Sequence, residues 1–257
     1  NLSIDKQGKT LVNTIAIYSM KGGVGKTAAC VNLAHLAATE QIRTLTCDLD
    51  PQGSTSYYFR IRPAAKLKGK KLFRGPKTVD KFIRGTDYEY LHLLPSDLSY
   101  RKLDLQLNTF KKTRTQLRSL LHGFEAQYDL IFLDCPPGLN LANENAFAAA
   151  DVIAVPLIPT SLSLMTFEKL SRFAARHKQR SGRIVPFFSM VDRRKKMHVE
   201  VMKAFHEQHP DCPDTFIPYS ADVEKMGLYR APLTSRFPGC VAAKAFSSLW
   251  DEIKGLF

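Results

Sequence analysis

The 257-residue chain is 44% hydrophobic and has no low-complexity tract, which excludes a disordered chain and allows a substantial core. Its 37 lysines and arginines oppose 24 acids, and the formal net charge of +13 favours a polyanionic partner: nucleic acid first, then an acidic membrane or protein. Five cysteines (Cys30, Cys47, Cys135, Cys212 and Cys240) without a C-x-x-C pair speak against a disulfide framework or a zinc site and fit a cytosolic protein. No apolar run is long enough for a membrane span.

The opening stretch, NLSIDKQGKTLVNT, has no apolar core and does not read as a signal peptide. TIAIYS (14–19) is a short β-rich run that ends at a glycine-rich loop. AACVNLAHLAATE (28–40) carries Val31, Leu33, Leu36 and Ala37 at helical spacing. RTLTCDLD (43–50) predicts a second strand ending in two acids, with PQGS as a turn, so the first fifty residues form a βαβ unit. From 60 to 85 the chain is basic, with Asp80 as the lone acid. YLHLLPSD (90–97) predicts a strand, and Ser99 to Gln127 a charged helical stretch. YDLIFLDCPPG (128–138) predicts a buried strand closing on an acid and a Pro-Pro turn. DVIAVPLIPT (151–160), RIVPFFSMVD (183–192) and TFIPYS (215–220) predict further strands, with a helix over 162–180. This alternation predicts an α/β fold: a doubly wound, mainly parallel sheet with helices on both faces, as one domain over 1–257. In such sheets ligands sit beyond the carboxyl ends of the strands.

The loop Lys21-Gly22-Gly23-Val24-Gly25-Lys26-Thr27 ends like a G-x-x-x-x-G-K-[ST] phosphate loop, with Met20 where the first glycine would stand. Its glycines let backbone N–H groups converge on phosphate oxygens, and the helix from Ala28 onward adds its positive end. Lys26 is expected on the β- and γ-phosphates and the Thr27 hydroxyl on Mg²⁺. Lys21 cannot easily fold back onto phosphates that its own loop wraps, but it could reach those of a second copy facing it.

KGGVGKT resembles the deviant Walker A motif of the ParA/MinD family of ATPases. LTCDLDPQGS resembles that family's second motif, YDLIFLDCPPGLN its Walker B with switch region, and VIAVPLIPTSLSLMTFEKL its following strand and helix. The resemblance implies ATP or ADP with Mg²⁺, and an ATP-sandwiched homodimer in which Lys21 crosses into the partner's site. It implies that Asp50 orients or activates the attacking water, that Asp48 acts near Mg²⁺, that Asp134 holds Mg²⁺, and that Cys135 to Asn140 sense the γ-phosphate. It also points to Pro218 and Asp222 on the purine side. Only about a dozen residues precede the first strand, so the N-terminal DNA-binding extension of some plasmid partition ATPases is not expected.

Arg172, Arg176 and Arg180 recur every four residues and share a helix face, and Arg193, Arg194, Lys195 and Lys196 follow nearby. With the net charge they suggest a sequence-indifferent, salt-dependent DNA surface. Where the family has an arginine after the penultimate strand, this chain reads Asp222-Val223-Glu224-Lys225-Met226, so Lys225 and Arg230 are candidates only. The resulting expectation is a nucleoid-associated, cytoplasmic positioning ATPase whose slow hydrolysis is stimulated by a ParB-like or other adaptor. One alternative is a MinD-like membrane switch, motivated by Phe246, Leu249, Trp250, Ile253, Leu256 and Phe257 on one helical face. Asp251 and Glu252 oppose anionic lipid, so a terminal helix packed on the sheet is favoured and membrane binding is not expected. A nitrogenase-iron-protein-like electron carrier would need a second suitably placed cysteine beside Cys135, and none is evident.

Overall fold

A computed structural model of the chain describes residues 13–62, 69–176 and 182–256. Seven strands form one sheet: β1 (Asn13–Ile17), β2 (Thr44–Asp48), β3 (Arg84–Gly85), β4 (Leu91–Leu94), β5 (Leu130–Asp134), β6 (Val152–Leu157) and β7 (Arg183–Phe188). Their order is β3-β4-β2-β5-β1-β6-β7, and every pairing is parallel except that of the short edge strand β3 with β4.

The helices are α1 (Lys26–Thr39), α2 (Ser54–Tyr58), α3 (Gly69–Leu72), α4 (Pro76–Val79), α5 (Leu103–Leu107), α6 (Gln116–Leu121), α7 (Leu141–Ala149), α8 (Ser161–Arg176), α9 (Lys196–Gln208), α10 (Ala221–Tyr229), α11 (Leu233–Arg236) and α12 (Val241–Lys254). They cover both faces, and strand alternation sorts the core accordingly. Ile15, Ile17, Leu130, Phe132, Val152 and Ala154 point into the layer that holds α1 and α12. Ala16, Ile131, Leu133, Ile153 and Val155 point into the layer that holds α5 to α8. With both faces covered, the central strands read as the continuous apolar runs seen in the sequence.

The apolar face of α12 is buried. Phe246, Leu249, Trp250 and Ile253 are at most 2% exposed, each contributing about 1.5–3 kcal/mol of burial. The helix packs on α1, where Glu40 Oε1 accepts from Trp250 Nε1 at 3.0 Å and from Lys254 Nζ at 2.7 Å. No helix among the described residues is long and apolar enough to cross a membrane.

Two sequence expectations need correction. The stretch from Ser99 to Gln127 is not one helix: a 3₁₀ turn (Leu98–Lys102), α5, α6 and a second 3₁₀ turn (His122–Phe124) divide it. Asp104 and Asn145 break its continuity by bonding across to backbone N–H groups of Ala142 and Gln116. Residues 215–220 form no strand. Only an isolated parallel bridge joins Pro218 to Val191, because Pro218 has no N–H to extend a ladder. The helix expected over 162–180 spans Ser161–Arg176 in the described residues.

Candidate nucleotide-binding site

Strand β1 delivers the loop Met20–Gly25 to the carboxyl edge of the sheet. Gly23 and Gly25 take φ of 70° and 89°, the left-handed region that glycine enters at no steric cost. Gly25 has a second constraint, since a Cβ there would meet Ser189 Oγ at 2.8 Å. Gly25 is also the N-cap of α1, and no side chain caps the helix, so its first N–H groups face the loop mouth unpaired by any cap. Lys26 is 7% exposed, and its Nζ donates to the Lys21 carbonyl at 3.2 Å, holding the ammonium inside the loop.

Opposite this cationic mouth lie two carboxylates. Asp48 ends β2 and Asp134 ends β5, and the parallel register sets them side by side, with Ile17 of β1 in line on the other flank. Asp134 Oδ2 accepts from Thr27 Oγ1 at 2.9 Å and from Thr55 Oγ1 at 2.7 Å. Asp48 Oδ2 accepts from the Ser56 N–H at 2.8 Å and from its hydroxyl at 2.7 Å. Both acids are almost fully buried, and Oδ1 of each has no donor. Burial raises both pKa values above the usual carboxylate range; the charge of Asp134 adds to the rise at Asp48, while the Thr55 and Thr27 hydroxyls and Lys26 restrain Asp134.

Two adjacent buried carboxylates with open oxygens are relieved either by a bound proton or, once ionised, by a positive charge. An oxygen-only donor set of this kind suits a hard divalent cation, and Thr27, Asp48 and Asp134 are the residues that would hold it. No group of three His, Cys, Asp or Glu side chains capable of holding a metal occurs among the described residues, so an all-protein cage is not what this edge offers.

Asp50 is half-buried just beyond. Its Oδ1 accepts from the Gln52 N–H at 2.9 Å, and its carbonyl accepts from Gly53 N and Ser96 Oγ, so the turn that presents it is held from two sides. The turn from Cys135 to Asn140 is tied to the phosphate loop: Gly138 N donates to the Met20 carbonyl at 3.2 Å, and Tyr18 Oη donates to the Gly138 carbonyl at 2.9 Å. Asn143 Nδ2 donates to the carbonyls of Pro136 and Gly138. Cys135 is fully buried and its thiol pKa is pushed well up by burial and by Asp134, which leaves it a packed thiol.

A cavity of about 230 Å³ opens beside the loop, lined by Gly25, Ala28, Tyr58, Pro218, Ser220 and Glu224 among others. Pro218 is among the residues that line it. Asp222 does not line the cavity: it receives Lys225 Nζ at 2.9 Å, and its N–H is taken by Ser220 Oγ. Glu224 is the acid turned toward the cavity instead. Thr55, Ser56, Ser96 and Glu224 were missed by sequence reasoning, although Ser54-Thr55-Ser56 directly after the PQG turn is a hydroxyl cluster beside two strand-end acids.

The basic candidates divide. Arg172 and Arg176 are exposed on α8. Arg193 and Lys195 are exposed and make no ion pair among the described residues, whereas Arg194 grips Asp192 with two bonds of 2.9 and 3.0 Å and Lys196 lies 3.5 Å from Glu200. Arg180 lies outside the described residues. Arg230 is occupied, stacked 4.5 Å over the Tyr57 ring and bonded to the Tyr57 carbonyl.

A family model described as AAA domain matches residues 12–185. The chromosome-partitioning ATPase Soj of Treponema pallidum is 28% identical over 251 residues, covering 96% of this chain and 97% of that protein. This chain belongs to the ParA/MinD family of ATPases. The chromosome partitioning protein ParA of Caulobacter vibrioides is 28% identical over 253 residues, covering 94% of each. Among solved structures, a putative plasmid partition protein from Borrelia burgdorferi bound to AMPPNP superposes with a TM-score of 0.80 at 20% identity, covering 96% of this chain and all of that one. The cell division ATPase MinD of Pyrococcus furiosus gives 0.78 at 21% identity, again over 96% of this chain and all of that one. The ParA/MinD membership agrees with the doubly wound sheet and the loop at its carboxyl edge.

Proposed function

We propose that the chain is a ParA-like ATPase that closes into a dimer on ATP, holds DNA without sequence preference and positions a cargo, with hydrolysis stimulated by an adaptor. The observation that carries this reading is the buried pair Asp48 and Asp134, each with an open oxygen, facing Lys26 and the uncapped start of α1. The binding of ADP or an ATP analogue with magnesium by fold relatives supports the same ligand here.

In this reading Lys26 and the loop N–H groups bind the β- and γ-phosphates, while Thr27, Asp48 and Asp134 orient the cation, which supplies charge neutralisation on the phosphate oxygens. Asp50 positions a water for in-line attack and takes up its proton as the bond to the β-γ bridging oxygen breaks. Lys21 of a second copy adds charge to the same phosphates. With so few groups at the reacting centre, catalysis is positioning and electrostatics, and unaided turnover is slow. Arg172, Arg176, Arg193 and Lys195 supply phosphate-backbone contacts, doubled by dimerisation. The MinD-like membrane alternative loses its motive, since the apolar face of α12 is covered by α1 and the sheet.

The test is binding to random-sequence duplex DNA with no nucleotide, with ADP and with ATP, across a salt series. Binding that requires ATP and weakens steeply with salt is expected. Absence of binding under every nucleotide overturns the DNA-riding part and moves the charge to a protein or lipid partner. Asp50→Ala is expected to keep ATP and trap the dimer, and normal hydrolysis by this variant removes the role given to Asp50.

A further inference from the structure

The chain between β2 and β5 does more than return to the sheet. Next to α3 and α5 it opens a groove of about 570 Å³. Phe73 and Phe110 line it, their rings 5.9 Å apart and edge to face. Leu105 of α5 forms part of the wall and is 67% exposed, and Leu98 in the preceding 3₁₀ turn is 74% exposed. Arg74 and Lys102 line it as exposed cations, and Gln106 carries an Oε1 that is buried without a donor.

Among the described residues no acid lines this groove. Asp104, on the same helix as Leu105, is engaged elsewhere and accepts from the Ala142 N–H at 2.9 Å, while Asp97 caps the 3₁₀ turn through the Ser99 N–H. An apolar trench with cations along it is a poor match for duplex DNA, whose phosphates reward charge on an open surface. It matches a chain that offers apolar anchors between carboxylates.

We infer that this groove docks an acidic, apolar-anchored peptide segment of a partner protein. The groove is also wired to the nucleotide edge. Asp104 holds the first turn of α7, Arg114 pairs with Glu144 of the same helix, and α7 begins where the turn Cys135–Asn140 ends. A segment seated on α5 therefore bears on the helix that anchors that turn. This coupling rests on the ATPase reading; the docking does not.

The experiment is a selection on the intact protein from a display library of random peptides of about 12 residues, a length that an anchor-and-groove contact uses. Enrichment of sequences that place Asp or Glu beside Leu, Phe or Trp is expected. A synthesised winner is expected to lose at least about tenfold in affinity against Leu105→Asp and against the double variant Arg74→Glu with Lys102→Glu. Leu105 is mostly exposed, so its variant keeps the fold, and unchanged ATP affinity checks this in both proteins. Basic or uncharged winners, no enrichment, or binding indifferent to both variants overturns the proposal. Displacement of the winner by random duplex DNA, with DNA affinity also lost in the double variant, reassigns the groove to nucleic acid and overturns it equally. Peptide binding retained by a protein that fails to bind ATP leaves docking standing and removes the ATPase reading alone.

Discussion

The carboxyl edge of the sheet and the basic shoulder at Arg193–Lys196 both carry charge, but they hold it in opposite ways. At the edge, Lys26, Asp48 and Asp134 are buried, and two carboxylate oxygens are left without donors. At the shoulder the charges are exposed and partly neutralised within the chain, as Arg194 is by Asp192. Buried charge is held at a cost and so implies a ligand that relieves it. Exposed charge is cheap, and its meaning depends on whether a neighbour has already claimed it.

The largest expected effect tests the buried side. On the proposed role of Lys26, Lys26→Ala would remove charge-assisted bonds to two phosphates, and ATP affinity is expected to fall about a thousandfold, near 4 kcal/mol. Titration with a fluorescent ATP analogue measures it, and retained micromolar affinity breaks the assignment of the site.

Second comes a buried group without a ligand. His35 on α1 is 7% exposed between Thr234, 2.8 Å away, and the Tyr88 ring, and burial lowers its pKa from 6.5 to about 4. A depressed folded-state value means that its contribution is complete above pH 6.5 and is lost as pH falls through 4. About 3 kcal/mol of stability is expected to disappear over that window, and His35→Gln to flatten it, in denaturant melts at fixed salt.

Asp134→Asn sharpens the comparison further. With no cation bound, stability is expected to drop as pH rises from the ordinary carboxylate range through the raised values of Asp48 and Asp134, because the unfolded carboxyls ionise freely. The asparagine variant is expected to be about 1–2 kcal/mol more stable than wild type at pH 8 without nucleotide, and to lose the stabilisation that Mg²⁺ with ATP gives the wild type. Equal melts for both proteins would show that this edge carries no unrelieved charge.

The smallest effect belongs to the shoulder. Arg193→Ala is expected to weaken duplex binding by the DNA-bound dimer at least about tenfold and to lower its salt slope by about two, one for each copy, while Arg194→Ala does less because its guanidinium already serves Asp192. Equal losses would show that the Asp192 pair opens on DNA.

The same contrast explains what could be read without coordinates. Strands β1, β2 and β5 are short apolar runs ending in marked residues, so their identity and the loop Lys21–Thr27 were legible, as were Asp48 and Asp134 at the strand ends. Thr55 and Ser56 were not, because their role depends on α2 folding back over the acids, a tertiary fact with no periodic signature. The stretch from Ser99 to Gln127 misled because its helical composition hides Asp104, whose side chain accepts from the Ala142 N–H, and gives no sign that Asn145 of α7 accepts from the Gln116 N–H where α6 starts. For Asp222, named on the purine side, and Arg194, named for DNA, the sequence did not show that each pairs with an opposite charge a few residues away.

The sheet order has a consequence for synthesis. Strand β5 lies between β1 and β2, so the loop, Lys26 and Asp48 leave the ribosome long before the strand that joins them. A nascent chain ending before Leu130 carries most of the sequence motif yet lacks Asp134 and the hydrogen-bonded neighbour that β1 and β2 share. Nucleotide capture therefore has to wait until β5 is made, and translation pausing before that point would expose both edges of β1 and one edge of β2 to chaperones or to aggregation.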